Sequence, residues 1–355
     1  MKNIITIGMD LGDKKNFIVG LDVDGKKKVS KMIGNTPKQL DKFFNPLKGN
    51  NIKIIMETGT HSPWISEMLK EKKFDVVVVN SNKLPLISRS LQKNDMNDAE
   101  LLAQIGMFNN KLLNTVEHRS KASRIDLYTV KSREQLIEIR TKLINHVRGS
   151  LKSFGIILLS TSTPAFVKKN ISHVPENLKD VIIPILEIID TLTLKIKRYD
   201  QQIKHLSETK YKEETGILRQ VNGVGPITAL TFILTLENSS KFSKSRSVGA
   251  FLGLTPKLFQ SGNINKQLGI SKKGNKYLRS LLVSCAQYIL GPFGKESDLR
   301  IFGLNKIKQG GKTSKKKIVV AVARKLAVLL HHLWRYKAEY DPLYNNKLKQ
   351  MKKSA

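Results

Sequence analysis

The N-terminal third of the sequence places three strand-like runs in succession and then alternates helical with strand-like runs. The first three are NIITIGMDLG, KNFIVGLDVDG and KKKVSKMIG, with an Asp24-Gly25 turn after the second. After them come helical TPKQLDKFFNPL, the buried strand IKIIMETG, helical SPWISEMLKEKK and the buried strand FDVVVVN. This order predicts an α/β domain, a mixed sheet with helices on its faces, which we assign to residues 1–112.

Strand signals fade after this domain, and the rest of the chain is predicted to be mainly helical. Between 113 and 205, runs such as YTVKSREQLIEIRTKLINHVRGSLKSFG place apolar residues three and four positions apart. This spacing predicts a helical hairpin or coiled coil, interrupted around STSTPAF and HVPEN. A structural spacer or dimerisation arm is its favoured role, with phosphate contact through its basic face as the second. Residues 206–345 are predicted to form a mainly helical C-terminal domain, and 346–355 a basic tail.

The C-terminal domain begins with VNGVGPITALTFILTL, in which two glycines precede a proline and an apolar helix. Gly223 and Gly225 are predicted to form a turn, with Pro226 at the first helical position. The turn is similar to a helix-hairpin-helix turn, whose backbone N–H groups suit a phosphate. A plain tight turn between helices is the alternative. Further on, KIKQGGKTSKKK (306–317) is predicted to be a flexible basic connection to a closing helix.

The charge of the chain predicts a polyanionic partner. Lysine and arginine number 62 against 29 acids, which gives a formal net charge of +33 over 355 residues. Nucleic acid is favoured over a membrane, because no apolar run approaches the roughly 20 residues that cross a bilayer. Asp10 and Gly12 interrupt the N-terminus where a signal peptide needs an apolar segment, so we expect a cytoplasmic protein. The single cysteine, Cys285, excludes an internal disulfide, and we expect it to pack in the core.

The positive charge is most concentrated around the stretch SGNINKQLGISKKGNKYLRSLL, residues 261–282. From Asn238 to Lys295 there are ten lysines and arginines and no acid. Any carboxylate-bound metal used there must therefore be supplied by another part of the chain or by another subunit. The nucleic-acid-binding residues that we predict in and near this stretch are Lys266, Lys272, Lys273, Asn275, Lys276 and Arg279, together with Gly223 and Gly225 of the turn.

Four acids of the first domain are candidate metal ligands. Asp10 ends the first strand, Glu57 ends the strand IKIIMETG, and Asp95 and Asp98 lie three apart at the opening of a helix. Carboxylate oxygens suit Mg²⁺ or Mn²⁺, and two such ions support phosphodiester chemistry. Taken singly, Asp10 is equally compatible with a turn and the helix pair with N-caps. Taken together, the four match the acidic set of an RNase H-like nuclease of the RuvC type.

The motifs together resemble a known family. GMDLG, METGTH and KNDMNDAELLA, the central NHVRGSLKSFG, and the C-terminal VNGVGPITAL and FSKSRSVGAFLGLTPKLFQSGNINKQLGISKKGNKYLRSLL are similar to DEDD transposases of the insertion sequence 110 family, relatives of the Piv- and MooV-type invertases. The likeness extends from about residue 5 to 340. It implies a RuvC-like domain, a helical coiled-coil middle and a C-terminal transposase domain.

The resemblance also implies a chemistry. It assigns Asp10, Glu57, Asp95 and Asp98 as ligands of Mg²⁺ (or Mn²⁺), and Ser261 as the nucleophile of a covalent serine-DNA intermediate. It implies donor and target double-stranded DNA as substrates, a structured guide RNA termed a bridge RNA, and a homo-tetramer or dimer of dimers. The expected setting is the cytoplasm of a bacterial or archaeal cell, associated with the nucleoid. Ser271, in GISKKGN, is a second hydroxyl for which helix capping or phosphate contact is the favoured role.

Three other functions remain open from the sequence. A RuvC-like structure-specific nuclease would use the same acids with water as the nucleophile and leave no protein-DNA adduct. An actin-like ATPase or sugar kinase shares the GMDLGDKK turn, but the chain lacks a recognisable second phosphate motif. A non-catalytic nucleic-acid scaffold would bind after chelation and never cleave.

Overall fold

The computed structural model describes residues 3–80, 94–107, 115–261, 264–310 and 314–354. These residues divide into two compact units, Met1–Ser120 and Lys121–Ala355. The predicted boundary at 112/113 lies close to this division, whereas the one at 205/206 falls inside the second unit.

The first unit is built on a five-stranded mixed sheet. Its strands are β1 (Thr6–Leu11), β2 (Lys15–Leu21), β3 (Lys27–Gly34), β4 (Lys53–Glu57) and β5 (Asp75–Val79), in the spatial order β3-β2-β1-β4-β5. β2 lies antiparallel to both β1 and β3, while β4 lies parallel to both β1 and β5. The helices of this unit are α1 (Pro37–Phe44), α2 (Ser62–Glu71) and α3 (Asp95–Met107). The predicted mixed sheet is confirmed.

The two faces of this sheet have different neighbours. Because side chains alternate along a strand, Ile7 and Met9 point to one face and Gly8 and Asp10 to the other. Ile7 and Met9 belong to the core that includes Leu40 of α1 and residues of α2. Helix α3 covers the opposite face, where its apolar residues pack on β4 and β5. Asp10 therefore lies on the face that α3 covers.

The second unit is mainly helical, as predicted. Its helices are α4 (Lys121–Lys152), α5 (Phe166–Asn170), α6 (Lys179–Glu208), α7 (Lys212–Arg219), α8 (Pro226–Leu236), α9 (Arg246–Phe251), α10 (Lys276–Leu290), α11 (Asp298–Gln309), α12 (Ser314–Tyr336) and α13 (Tyr344–Ser354). The predicted hairpin consists of α4 and α6, and it is interrupted between residues 153 and 178. Along the pair, Ile144, Val147 and Leu151 pack against Ile182, Leu186 and Ile189. These contacts recur every three or four residues, which is why the spacing of apolar residues in the sequence predicted the two helices.

A two-stranded hairpin in the second unit was missing from the sequence-based prediction. It pairs β6 (Pro256–Ser261) with β7 (Ile264–Ile270). The predicted flexible connection at 306–317 is also shorter than expected, because its first residues belong to α11 and its last to α12. The core of the unit is formed mainly by α8, α10 and α12, and it includes Cys285 as expected. Across the parts of the chain that the structure describes, no helix has the length and apolar character required to span a bilayer.

Candidate active site

Two of the predicted acids lie side by side at the carboxyl ends of parallel strands. In the β1–β4 ladder, Met9 stands opposite Met56, and Asp10 and Glu57 are the next residues along each strand. Neighbours at the same level of a parallel ladder point to the same face of the sheet. Asp10 and Glu57 therefore both point to the face that α3 covers.

Helix α3 approaches this face closely at a glycine. A Cβ atom on Gly8 would lie 1.9 Å from the carbonyl oxygen of Ala99 and 2.4 Å from the backbone nitrogen of Ala103. Only a residue without a side chain permits this approach, so Gly8 sets the distance between α3 and β1. Since Gly8 and Asp10 share a face, the same close packing brings the start of α3 towards Asp10.

The direction of α3 is fixed at its other end. A Cβ atom on Gly106 would lie 2.0 Å from Cδ1 of Ile55, and the Gly106 carbonyl accepts a hydrogen bond from Lys53 Nζ at 3.1 Å. Lys53 begins β4, so the carboxyl end of α3 lies over the beginnings of the strands. Its amino end, which carries Asp95 and Asp98, consequently lies at the edge where β1 and β4 end.

The cap of α3 is provided by Asn94 and not by an aspartate. Asn94 Oδ1 accepts a hydrogen bond from the backbone N–H of Met96 at 3.1 Å, and its carbonyl accepts the N–H of Asp98 at 3.0 Å. This pattern is that of an N-cap residue. The alternative role suggested by the sequence for Asp95 and Asp98, helix capping, is thus taken by their neighbour.

The pKa of Asp10 responds to the other three carboxylates. Burial, followed by repulsion from Asp95, Asp98 and Glu57, raises the pKa of Asp10 from 3.8 to about 6. A backbone hydrogen bond from Leu11 acts in the opposite direction. Repulsion of this kind requires the carboxylates to be close, and it is relieved when a cation binds among them. The ends of β1 and β4 and the start of α3 therefore lie at the same edge of the sheet, where the pKa of Asp10 is raised.

The four carboxylates are suitable ligands for a hard divalent cation, although their side chains do not converge on a single point. All four groups are carboxylates, the ligand type that Mg²⁺ and Mn²⁺ favour. Within the described ranges, no three acidic, histidine or cysteine side chains are close enough together to hold an ion as they stand. Binding would therefore require the carboxylates to turn inward, and the positive charge of the ion would offset the repulsion between them.

A histidine that the sequence analysis did not single out lies beyond the end of β4. His61 Nδ1 accepts a hydrogen bond from Trp64 Nε1 at 3.1 Å, which leaves the proton of the neutral ring on Nε2. Nε2 lies 3.5 Å from Oδ1 of Asp13, in the turn that follows β1. His61 thus links the loops that follow the two acid-bearing strands. The only signal in the sequence was its place in METGTH, four residues after Glu57.

The predicted nucleophile is placed only through its backbone. Ser261 is the last residue of β6, paired with Ile264 of β7. The side chains of Ser261 and of Lys266 lie outside the described residues. Ser261 belongs to the second unit, whereas the four acids belong to the first.

The segment after the hairpin is held by backbone hydrogen bonds. Arg279 Nη1 donates to the carbonyls of Leu252 at 3.0 Å, Lys273 at 2.6 Å and Gly274 at 3.2 Å. Asn275 caps α10, since its Oδ1 accepts the N–H of Leu278 at 2.9 Å. The described contacts of both residues are therefore structural: they fix the loop that carries the lysines.

The three lysines of this loop remain available at the surface. Lys272 and Lys273 are exposed, and Lys272 has a left-handed φ of 55°. The side chain of Lys276 is 83% exposed and lies 3.6 Å from Glu138 Oε1 of α4. Lys272 and Lys273 accordingly face solvent on a loop whose backbone is fixed, while Lys276, at the start of α10, is exposed beside Glu138.

The predicted glycine turn joins α7 to α8. Gly223 has φ of 91°, a left-handed conformation that favours glycine, and a Cβ there would lie 2.8 Å from Cδ1 of Tyr288. Gly225 is the N-cap of α8, with Pro226 in the first turn. No atom lies within 4 Å of the position that a Gly225 Cβ would occupy, so the amino end of α8 opens onto free space. Two helices joined by such a turn are compatible both with a helix-hairpin-helix arrangement and with a plain tight turn.

Comparison with known proteins gives the same family at both ends of the chain. The family model described as Transposase IS116/IS110/IS902 family matches residues 215–298. The transposase model named for the DEDD acids and for IS110 matches residues 7–156. The first of these ranges contains Ser261, and the second contains Asp10, Glu57, Asp95 and Asp98.

Proteins named as transposases are similar to this chain over most of its length. The transposase for insertion sequence element IS1111A of Coxiella burnetii is 26% identical over 93% of this chain and 89% of its own length. A probable family 20 transposase of Pseudomonas aeruginosa is 27% identical over 96% of this chain and 99% of its own. The transposase for insertion sequence element IS1328 of Yersinia enterocolitica is 26% identical over 81% of this chain and 84% of its own.

Proposed function

We propose that this chain, a DNA-rearranging enzyme similar to transposases of the IS110/IS116 family, cuts and rejoins DNA through a covalent bond between Ser261 and a DNA phosphate. The observation that carries the proposal is that Asp10, Glu57 and the start of α3, which bears Asp95 and Asp98, lie at one edge of the sheet in a chain of net charge +33. A polycation with an acidic centre binds nucleic acid and positions metal-assisted phosphoryl transfer at that centre.

The proposed step exchanges one phosphodiester for another. The Ser261 hydroxyl loses its proton and its oxygen attacks phosphorus, while the bond from phosphorus to a deoxyribose oxygen breaks and that oxygen takes up a proton. The strand is rejoined when a deoxyribose hydroxyl attacks the serine-linked phosphate and releases the serine. No water is consumed, so the bond energy is kept for resealing.

The residues of the chain divide the work of this step. Asp10, Glu57, Asp95 and Asp98 would hold Mg²⁺ or Mn²⁺, which supplies Lewis-acid stabilisation of the charge that develops on the phosphate. The exposed Lys272, Lys273 and Lys276, on a loop fixed by Arg279 and Asn275, would hold the flanking phosphates. The amino end of α8 at Gly225 offers backbone N–H groups to a further phosphate. We propose the same nucleic-acid role for Gly223 and Lys266.

Two partners complete the proposal. A structured guide RNA is supported by the family resemblance and by the excess of 62 cations over 29 acids. A homo-tetramer or dimer of dimers is supported by exposed apolar residues on the helical hairpin: Val181 and Ile188, 67% and 52% exposed, lie seven residues apart on α6. Such spacing puts both side chains on one side of a helix, where a second copy would cover them.

A test for an adduct separates the proposal from a RuvC-like nuclease, which the comparisons do not favour. The protein, purified with its co-purifying RNA and incubated with labelled DNA carrying the ends of its element and a target, is expected to give a DNA-linked band on a denaturing gel. Ser261→Ala should abolish this band and retain DNA binding, whereas the matched variant Ser271→Ala should retain the band. Cleavage without an adduct, or full recombination by Ser261→Ala, would contradict the assignment.

A further inference from the structure

The second unit contains an open cavity of about 1590 Å³ that the proposed chemistry does not use. It lies between α9, α11, α12 and residues 338–346, and we call it the C-terminal groove. Its cationic lining residues are Lys244, Arg246, Lys306, Arg324 and Lys325. All five are exposed, and within the described ranges none forms an ion pair with a carboxylate.

Three acids, Asp298, Glu339 and Asp341, also line the groove, and two of them are held by neighbouring residues. Asp298 accepts hydrogen bonds from the backbone N–H and side-chain amide of Asn345 at 2.7 and 2.9 Å, and from the N–H of Asn346 at 3.2 Å. Asp341 lies 2.9 Å from Lys347 Nζ. Five cations and three acids therefore line the groove, and Lys347 pairs with one of these acids, so positive charge is in excess. A cavity with this balance attracts a polyanion.

The same groove also offers aromatic and apolar surface. Tyr344, at the start of α13, is 58% exposed, and Phe302 carries the Lys325 ammonium 4.3 Å from its ring centroid. Val328 and Leu329 are half-buried on α12 at the base of the groove. A duplex presents its phosphates outward and keeps its bases stacked inside. Only a single strand offers phosphates to the cations and base faces to the aromatic rings at the same time.

The walls of the groove are fixed from beneath. His331 is fully buried, with Nε2 2.9 Å from the Ser239 carbonyl and Nδ1 2.9 Å from Ser245 Oγ. A carbonyl only accepts, so Nε2 carries the proton and Nδ1 accepts from the serine hydroxyl. Arg335 donates to the Phe242 carbonyl in the same loop. These bonds hold the loop that presents Lys244 and Arg246, while Asp298 holds the opposite wall.

We propose that the C-terminal groove binds a single-stranded segment of nucleic acid, with its phosphates on the five cations and at least one base against Tyr344. The proposal rests on the proposed function in so far as both require a nucleic-acid partner. It adds a second binding surface, separate from the acidic site and from the lysine loop at 272–276. RNA and DNA single strands share this chemistry, and the test distinguishes them.

The charge contacts are tested by a matched pair of lysines on one helix. Lys306 lines the groove, whereas Lys308, also exposed on α11, does not. Binding of labelled single strands of about 12 nucleotides, RNA and DNA, is measured by fluorescence anisotropy in the full chain over a range of salt concentrations. Lys306→Ala combined with Lys325→Ala should weaken binding about tenfold and lower the slope of log K against log salt by about 1.4, near 0.7 for each lost contact. Lys308→Ala should change neither quantity.

The stacking contact is tested by paired changes at Tyr344. Tyr344→Ser should weaken binding by about 5- to 100-fold, the range measured for loss of one base-aromatic stack, whereas Tyr344→Phe should keep wild-type affinity. The strand that binds more tightly, RNA or DNA, shows which of the two the groove prefers. Equal losses for Lys306 and Lys308 variants, or tighter binding of a duplex of the same length, would overturn the proposal.

The adduct assay distinguishes a failure of the groove proposal from a failure of the proposed function. Wild-type adduct formation, together with groove variants that bind single strands normally, would remove the groove proposal and leave the recombinase intact. Groove variants that lose single-strand binding, in a protein that forms no adduct, would support the groove and remove the serine chemistry.

Discussion

Replacing Asp10 by asparagine is expected to stabilise the metal-free first unit at neutral and alkaline pH, although the change removes a site residue. Burial and repulsion from the three neighbouring acids raise the pKa of Asp10 from 3.8 to about 6. A carboxyl group with a higher pKa in the folded than in the unfolded state holds its proton more tightly when folded, so its ionisation costs stability. Asparagine keeps the shape and removes that cost.

The magnitude and the pH window follow from the same pKa. A change from 3.8 to about 6 corresponds to about 3 kcal/mol for a fully shielded group. Asp10 is only half-buried, so solvent screening reduces the expected gain to about 1 kcal/mol. Below 3.8 the carboxyl is protonated in both states and costs nothing; the cost grows up to about 6 and is complete above it. The stabilisation by Asp10→Asn should therefore be absent at about pH 3.5 and complete at about pH 8.

The assay uses the position of the two tryptophans. Trp64 lies in the first unit and Trp334 in the second, so a Trp334→Phe background leaves one reporter for the sheet. Urea unfolding with chelator present is followed by Trp64 fluorescence at both pH values. The control is Asp13→Asn, whose carboxylate is 96% exposed and which should give no gain at high pH. An Asp10→Asn variant that is destabilised at about pH 8, or equally stabilised at both pH values, would refute the reasoning.

Three further predictions follow from contacts elsewhere. Gly8→Ala would place a methyl group 1.9 Å from the Ala99 carbonyl oxygen. It should therefore lower the free energy of unfolding in urea by about 1–3 kcal/mol and abolish adduct formation. A variant with unchanged stability would mean that α3 is not held against β1. Arg279→Gln should cost about 1–3 kcal/mol in thermal unfolding because carbonyls lose their donor, and Lys276→Gln is the matched change expected to cost little. Burial lowers the pKa of His331 below 6.5, so the unfolded state binds the proton more readily and the stability of the protein should fall as the pH drops below about 6.5. His331→Gln should remove that fall when melting temperature is measured against pH. A fall that persists in the variant would count against the buried neutral ring.

Much of the first unit could be predicted because its strands and helices follow from local patterns of apolar residues. The run of apolar residues in IKIIMETG and FDVVVVN, and the helical spacing between them, indicated the strands and helices that the structure contains. The ends of the first strand-like run and of IKIIMETG also marked Asp10 and Glu57, because acids after an apolar strand are easy to recognise. The helical hairpin of α4 and α6 was readable for the same reason.

The features that escaped prediction depend on contacts distant in sequence. Gly8 looked like an ordinary strand residue until the structure showed α3 lying on it, and Asn94 stood beside two aspartates that are equally good capping residues. The β6–β7 hairpin was missed although Gly262-Asn263, a common hairpin dipeptide, separates its strands in the sequence. The positive charge of this stretch predicted phosphate binding, and it obscured the alternation of polar and apolar residues that is typical of strands.

Arg279 shows a further limit of sequence reasoning. Among so many uncompensated cations, an arginine is naturally interpreted as a phosphate ligand. The structure gives it three backbone carbonyls instead, so its described role is to fix the loop. Charge alone does not separate a cation that contacts a partner from one that the fold itself uses, because phosphate oxygens and backbone carbonyls both accept hydrogen bonds from the same guanidinium N–H groups.

The measurement that tests the central claim most directly is the identity of the residue joined to DNA. The adduct formed with labelled DNA would be digested with protease and nuclease, and the peptide that retains a nucleotide sequenced by mass spectrometry. The account predicts a nucleotide on Ser261, its loss in Ser261→Ala, and its loss in Asp98→Asn, where the acidic cluster is incomplete. Efficient strand cleavage with no modified peptide, or a nucleotide on another residue, would contradict it.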